Sequence, residues 1–381
     1  MATLPLTHEL EPRAEAAPKT RTLGSRVFEF LIVGGVTPFL FPLSWLLRRA
    51  LGLEEAQLAV GFLFFYGAHV INDPHFSVTY LLFYEDARER AFGRAFSGAQ
   101  RVRYWLAGFV LPIALAAWAI TGVVARSPHV LGLFIQLMFL LVGWHYVKQG
   151  FGVMTVLSAR RGVRYAPIER FAILAHCLVG WAYAWASPFD PGREVQEKGV
   201  IYTTVRHPRG LEAATHAIFL ASFVFLVVIL ARKWHREKRL PIATPLVALL
   251  SSIWAWSIYS NIDPLVMFVV PALHSIQYLY FVWLLKHNEG VELEGPPRFE
   301  ISAKTRVGIL AASALALGWL LFHGAPTALD DLFTRRDSRF TDMGPTPFFA
   351  ALYAFVNIHH FLMDWVIWRR ENPRTRYLAR T

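Results

Sequence analysis

Ten long apolar segments run along this chain, and each is close to the length of a helix that crosses a bilayer. A spanning helix needs roughly 20 apolar residues, and it satisfies its own backbone hydrogen bonds where water is absent. We therefore predict an all-α fold, a polytopic integral membrane helical bundle of about ten transmembrane helices. The segments cover residues 27–47, 57–84, 104–124, 129–158, 171–187, 211–231, 241–258, 264–285, 307–322 and 346–368.

Charge supports this class and sets an orientation. Charged residues make up only 17% of the 381, whereas soluble domains carry about a quarter. With both termini cytoplasmic, the inner segments hold 27 of the 38 Lys and Arg residues and the outer segments hold 10. Positive charge collects on the cytoplasmic side of membrane proteins. The net charge of +11 therefore predicts contact with membrane lipids and no nucleic-acid partner. We expect the protein in the plasma (inner) membrane of a bacterium.

The segment pattern divides the chain into three regions. Residues 1–26 are predicted to be a disordered cytoplasmic arm, because they are polar and lack the apolar core of a signal peptide. Residues 27–368 form a single transmembrane helical domain, and residues 369–381 form a basic cytoplasmic tail. The single cysteine, Cys177, excludes an intrachain disulfide and a cysteine-based metal cage.

In four of the apolar segments a histidine is followed by a polar residue three or four positions on, and polar groups there are costly to dehydrate and often functional. All four segments are even-numbered, so they should run in the same direction. At 1.5 Å per residue, their histidines fall within roughly 9 Å of one another in depth. We therefore predict one buried metal site, with His69, His145, His274 and His360 as the first-choice ligands. His75 and His359 would complete its shell or hold a second metal. The six candidate ligands are His69, His75, His145, His274, His359 and His360.

Other polar residues of the same segments are predicted to support these histidines. Asp73 and Asp364 follow histidines by four residues, so they would ligate the metal or orient an imidazole. Lys148 is a predicted counter-ion for either carboxylate, with proton donation or snorkelling as alternatives. Gln149, Gln277 and Asn357 are candidates for support of the ligands, and for the two glutamines a bond between helices is equally open.

Two further histidines are expected to take no part in the site. His176 lies on an odd-numbered segment without a polar partner four residues on, so we predict a packing role. His323 lies at the end of a span and is predicted to be solvated.

Neutral imidazole suits iron, zinc or copper, and two histidines with one carboxylate are typical of non-haem iron. We expect a transition metal, with iron preferred over zinc or copper. The four segments contain no glutamate, which argues against the Glu-x-x-His diiron pattern. The chain has no dinucleotide-binding glycine pattern and no haem attachment motif, so electrons would come from an external donor.

The placement of His69, His145, His274 and His360 on separate helices resembles the bacterial Brp/Blh carotenoid-cleaving oxygenases, polytopic proteins whose intramembrane histidines hold iron. The resemblance implies cleavage of an isoprenoid by dioxygen. The membrane desaturases match less well, because His359-His360 lacks the upstream histidine of their boxes.

Three functions are open for a protein with this pattern. The first is a membrane-embedded, metal-dependent oxidoreductase or oxygenase that acts on a lipid or isoprenoid substrate from the bilayer. The second is a proton-coupled or metal-cation transporter that uses the same histidines and aspartates. A metal-independent transferase, with His360 or His145 as general base, is a third reading.

Overall fold

The computed structural model describes residues 23–94, 96–186, 192–208, 210–238, 244–254, 263–334 and 338–378, and these residues are almost entirely helical. The predicted arm at 1–26 therefore lies largely outside the described residues. The helices are α1 (Leu23–Phe30), α2 (Thr37–Leu51), α3 (Leu53–Ala68), α4 (Asn72–Tyr84), α5 (Ala87–Phe92), α6 (Gly98–Trp105), α7 (Leu111–Val124), α8 (Pro128–Ala159), α9 (Pro167–Ala186), α10 (Leu211–Glu237), α11 (Thr244–Ile253), α12 (Pro264–Glu294), α13 (Ala303–Trp319), α14 (Ala325–Leu329) and α15 (Pro347–Ile367).

Short irregular elements complete the fold. Strands β1 (Glu194–Glu197) and β2 (Val200–Thr203) form an antiparallel hairpin. Its turn meets the start of α15, where the Thr346 amide donates to the Gly199 carbonyl at 3.3 Å. π-Helical turns and 3₁₀ helices lie between or after α-helices, at Leu31–Gly35, Leu106–Val110, Leu320–Gly324, Asp330–Thr334, Ser338–Met343 and Pro373–Leu378.

Within the described residues, six helical stretches are long and apolar enough to cross a membrane. A seventh candidate joins Gly24–Gly35 to Thr37–Leu51 across a 73° bend. Gly34 allows this bend, because its φ of +110° is open to glycine and strained for other residues. The all-α prediction is confirmed, and the long apolar helices support the prediction of a membrane protein. The six stretches are Gly98–Val124, Pro128–Ala159, Leu211–Glu237, Leu265–Glu294, Ala303–Thr334 and Pro347–Ile367.

The count of ten spans and the cytoplasmic position of both ends remain predictions. The predicted span at 57–84 is divided between α3 and α4, with a turn at residues 69–71. The predicted span at 241–258 is described only in part. Residues 171–187 largely coincide with α9, which is not among the membrane-crossing candidates.

α15 lies at the centre of the helical packing and α10 at its edge. In the most apolar window of Pro347–Ile367, 72% of residues are buried, against 11% in that of Leu211–Glu237. The exposed residues of α10 include Ile218, Val224 and Val228. An apolar surface of this kind is stable against lipid tails. Polar side chains on α15 are therefore enclosed by protein.

Asp73 and His75, which are two residues apart at the start of α4, lie on different sides of this helix. Pro74 lies in the first turn of α4, where a missing N–H is tolerated. α13 packs closely on this turn, since a Cβ at Gly318 would lie 2.9 Å from the Asp73 carbonyl carbon. The Ser77 hydroxyl also donates to the Ala314 carbonyl at 2.6 Å. Asp73 consequently faces α13, and His75 faces the bundle interior.

Candidate metal centre

Four histidines from four helices meet in the interior of the bundle. His75 comes from α4, His145 from α8, His274 from α12 and His360 from α15, and each is at most 2% exposed. The His75 ring centroid lies 4.5 Å from that of His360 and 5.0 Å from that of His274. The His145 centroid lies 4.8 Å from His274 and 4.9 Å from His360. We call these four residues the histidine cluster.

The spacing of the ring nitrogens fits a single metal ion. His75, His145 and His360 each offer a nitrogen within 4.8 Å of the others. The Nε2 atoms of His145 and His360 are 3.3 Å apart. Two ligands at about 2.0–2.1 Å from one tetrahedral ion are roughly 3.3–3.4 Å apart, which follows from the usual metal–nitrogen distances. His75, His145 and His360 thus have the spacing of ligands in one coordination shell, and His274 lies beside them.

A chain of hydrogen bonds fixes the tautomer of His75. The Ser275 hydroxyl donates to Asn72 Oδ1 at 2.9 Å, and its oxygen lies 3.0 Å from His75 Nδ1. The Ser275 hydroxyl has one proton, and it is donated to Asn72. His75 Nδ1 must therefore carry a proton of its own, which it donates to the Ser275 oxygen. His75 Nε2 is then a bare lone pair, buried without a hydrogen-bond partner among the described residues. A ligand histidine held through its other nitrogen has this arrangement.

Asp364 presents one carboxylate oxygen to the cluster. Its Oδ1 accepts hydrogen bonds from the Tyr278 hydroxyl at 2.7 Å and from Trp368 Nε1 at 3.2 Å. Its Oδ2 lies 3.5 Å from His360 Nε2 and 3.8 Å from His145 Nε2. No hydrogen bond to Oδ2 is found within the described part of the chain. Asp364 is therefore oriented by two donors, with its second oxygen directed toward the imidazoles.

The unpartnered atoms are a test of whether the site suits an ion. Among the described residues, His75 Nε2 and Asp364 Oδ2 are buried at the cluster without hydrogen bonds. Each buried polar atom left in this state costs about 1–3 kcal/mol. A cation would satisfy lone pairs of this kind, so the donor set fits a transition metal with nitrogen and oxygen ligands.

The amides predicted to support the ligands bind backbone instead. Gln149 Nε2 donates to the His274 carbonyl at 3.1 Å and to Gln277 Oε1 at 2.9 Å, and Gln277 Nε2 donates to the Val33 carbonyl at 3.0 Å. Gln149 and Gln277 were predicted either to support the metal ligands or to join helices. Their hydrogen bonds join helices. Asn357 donates to the Tyr353 carbonyl of its own helix at 2.8 Å, not to a ligand ring.

Two of the predicted ligands do not join the cluster. His69 lies beyond the break that ends α3, where its ring stacks on His323 at 4.0 Å. The predicted place of His69 in the cluster is wrong, because residues 57–84 form two helices, α3 and α4, and not one continuous helix. His359 points away from His360, as a neighbour on a helix must. Its Nε2 donates to the Ala107 carbonyl at 2.9 Å, and its Nδ1 lies 3.1 Å from the Tyr80 hydroxyl.

The predictions for Lys148 and His323 are also corrected. Lys148 is exposed on α8, and no ion pair joins it to either aspartate within the described residues. His323 is not simply solvated: its side chain is only 29% exposed, and its Nε2 lies 2.8 Å from Asp73 Oδ2. Asp73 accordingly belongs to a group with His69 and His323, apart from the histidine cluster.

Ser275, Tyr278 and Trp368 were missed at the sequence level. Ser275 is adjacent to His274, Tyr278 follows His274 by four residues, and Trp368 follows Asp364 by four. Only the spacing on the helix could have indicated them, and aromatic residues near span ends are usually interfacial anchors. Ser275 and Tyr278 reach from α12 to His75 on α4 and Asp364 on α15, whereas Trp368 bonds Asp364 one turn back along the same helix.

Comparison of the chain with protein-family models, with curated proteins and with solved structures finds no match.

Proposed function

We propose that this protein is a membrane-embedded, metal-dependent oxidoreductase or oxygenase whose metal, non-haem iron in our reading, is held by the histidine cluster. The single observation that carries the proposal is the meeting of His75, His145, His274 and His360 beside Asp364 in a fully buried site. The proposal includes the finer topology of ten spans with both termini on the cytoplasmic side of a bacterial plasma membrane.

The donor set supports iron more than other metals. Imidazole and carboxylate ligands without thiolate are typical of non-haem iron sites that keep positions open for substrate or dioxygen. The metal would supply the electron-transfer and dioxygen chemistry, and the chain would supply the ligand geometry and a site that excludes water. Within this scheme His75 is held by Ser275, and Asp364 is held by Tyr278 and Trp368.

A lipid or isoprenoid is the substrate class that fits the surroundings of the cluster. Phe361 stacks on His145 at 4.5 Å, Phe76 lies 4.8 Å from His360, and Tyr146 lies 4.1 Å from His274, all measured between ring centroids. Aromatic walls of this kind favour an apolar ligand over a charged one. Such a substrate would enter from the bilayer, and an external donor would provide electrons if the reaction consumes them.

The proposal is tested by the metal content of the protein purified in detergent after metal-replete growth. We expect about one tightly held equivalent of a transition metal in the wild type, and less than about a tenth in H145Q. The matched control is H176Q, which alters a buried histidine outside the cluster and should keep the metal. A metal-free wild type would refute the proposal, and so would equal metal content in H145Q and the wild type.

A transporter is the second candidate, and one specific observation favours it. Asp73 of the group His69, Asp73 and His323 lies in the same turn of α4 as His75 of the cluster, so two groups of ionisable side chains adjoin each other at this helix. Successive groups of this kind are typical of ion and proton pathways. Flux of a metal cation or proton into proteoliposomes, with pH dependence near the histidine range, would support transport. Our proposal expects no flux above that of empty vesicles.

A further inference from the structure

A second group of side chains with potential metal-ligand atoms lies outside the histidine cluster. His323 Nε2 and Asp73 Oδ2 are 2.8 Å apart, and the rings of His69 and His323 stack with centroids 4.0 Å apart and planes 12° from parallel. Each of the three residues offers a ligand atom within 4.8 Å of the other two. We propose that His69, Asp73 and His323 form a second metal site, which takes an exchangeable divalent transition-metal ion.

The donor atoms suit such an ion. Two imidazoles and one carboxylate are a common ligand set for divalent iron, zinc and related metals. Adjacent ligands at about 2.1 Å from one octahedral ion lie roughly 3 Å apart, close to the separation of His323 Nε2 and Asp73 Oδ2. His69 Nδ1 is buried and has no hydrogen-bond partner in the described part of the chain. This nitrogen is left available to a cation.

Aromatic side chains separate this group from the histidine cluster. Phe322, the neighbour of His323, packs on Phe76 with centroids 5.3 Å apart, and Phe76 packs on His360 at 4.8 Å. The two groups share no residue, and this pair of rings packs beside both of them. Their link is α4, in which Asp73 serves one site and His75 the other.

Exposure makes the second site exchangeable. Asp73 is 4% exposed, which keeps its carboxylate away from competing water, whereas the His323 side chain is 29% exposed. The four histidines of the cluster are at most 2% exposed. An ion at the second site would therefore be less enclosed by protein than an ion in the cluster. A mild chelator should remove it first.

The experiment is a Zn²⁺ titration of the metal-stripped full-length protein in detergent, followed by calorimetry and elemental analysis. The wild type should bind two equivalents. The double variant H69Q/H323Q should lose one of them, with its dissociation constant raised at least about tenfold. H216Q is the matched control, because the exposed His216 ring also stacks on a neighbour, Tyr183 at 4.9 Å, and no ion pair with a carboxylate is found for it among the described residues. It should bind as the wild type does.

The result for H145Q keeps this inference separate from the proposed function. If H145Q retains the equivalent that H69Q/H323Q loses, the second site stands whatever the cluster binds. If H69Q/H323Q binds Zn²⁺ as the wild type does, the second site is refuted, and Asp73 and His323 form a hydrogen-bonded pair only. A measurement on the wild type avoids any folding defect. Zn²⁺ should shield His323 from modification by diethyl pyrocarbonate, and absence of shielding would overturn the inference.

Discussion

Two kinds of buried histidine occur in this protein, and they differ in whether both ring nitrogens have partners. His176 is fully satisfied: Trp254 Nε1 donates to its Nε2 at 3.0 Å, and its Nδ1 lies 2.8 Å from the Ser222 hydroxyl. Ser222 donates its own proton to the Phe219 carbonyl, so His176 Nδ1 donates to Ser222. His176 therefore has the predicted structural role.

His359 belongs to the same satisfied class, whereas the adjacent His360 does not. Both nitrogens of His359 have partners, Tyr80 and the Ala107 carbonyl. His360 Nδ1 has none among the described residues, and neither has His75 Nε2. The difference teaches that burial alone does not mark a ligand histidine. The mark is a buried nitrogen that the protein leaves open while it holds the ring in place.

The adjacent histidines of α15 give the strongest test of this comparison. H360Q should lower the bound metal by at least about tenfold, because it removes a ring of the cluster, and H359Q should leave the metal content unchanged. H359Q should instead destabilise the protein, because Tyr80 and the Ala107 carbonyl lose a partner. Elemental analysis and thermal unfolding of both purified variants measure the two effects. Equal metal loss in the two variants would break the comparison.

The residues that hold the ligands should have the next largest effect. S275A removes the acceptor of His75 Nδ1, and Y278F removes a donor to Asp364. Loss of such partners typically weakens metal binding by about 10–100-fold. Competition with a chelator of known affinity measures the change. S252A is the control, because the buried Ser252 hydroxyl donates to the Leu249 carbonyl. An affinity loss in S252A equal to that in S275A would contradict this account.

A satisfied histidine should matter to stability alone. H176F keeps an aromatic ring but leaves Trp254 Nε1 without an acceptor. The unfolding free energy should fall by about 1–3 kcal/mol, the usual effect of one unsatisfied buried group. Denaturant unfolding in detergent measures the decrease, and elemental analysis should show unchanged metal. Metal loss in a folded H176F protein would mean that satisfied nitrogens do not distinguish structural histidines.

Much of the architecture could be predicted from sequence, because apolar runs of bilayer length have few alternatives to helices. The common depth predicted for His145, His274 and His360 indicated that they lie together, and their rings do meet in the structure. The direction of each side chain could not be obtained in the same way. It depends on where a helix begins and how it is rotated, which the packing of neighbouring helices determines.

The break between α3 and α4 shows the limit most clearly. Pro74 was visible in the sequence, but the turn at residues 69–71 was not, and it moved His69 out of the cluster and left His75 in it. His323 was missed for the same reason. Its role depends on the close approach of α13 to α4 at Gly318, a contact between segments roughly 250 residues apart in the chain.

The smallest expected effect is on stability, and it concerns Glu85, a carboxylate at the C-terminal end of α4 whose oxygens have hydrogen-bond partners in Lys286 and Arg374. Burial alone would raise the pKa of Glu85, but Lys286 and Arg374 outweigh it and hold the pKa below its ordinary value. A carboxyl of this kind stabilises the fold above the unfolded-state pKa of about 4.3, and the stabilisation is lost as the pH falls through the folded value. Thermal unfolding of the wild type and E85Q should therefore differ at pH 7 and converge below about pH 4.

The difference should be well under about 1 kcal/mol, because Glu85 is 39% exposed and Glu289 remains as a partner for Lys286. It should also shrink in about 1 M salt, where charges are screened within roughly 3 Å. A difference that grows on acidification would contradict this sign, and metal loss in E85Q would place Glu85 among groups that act on the site.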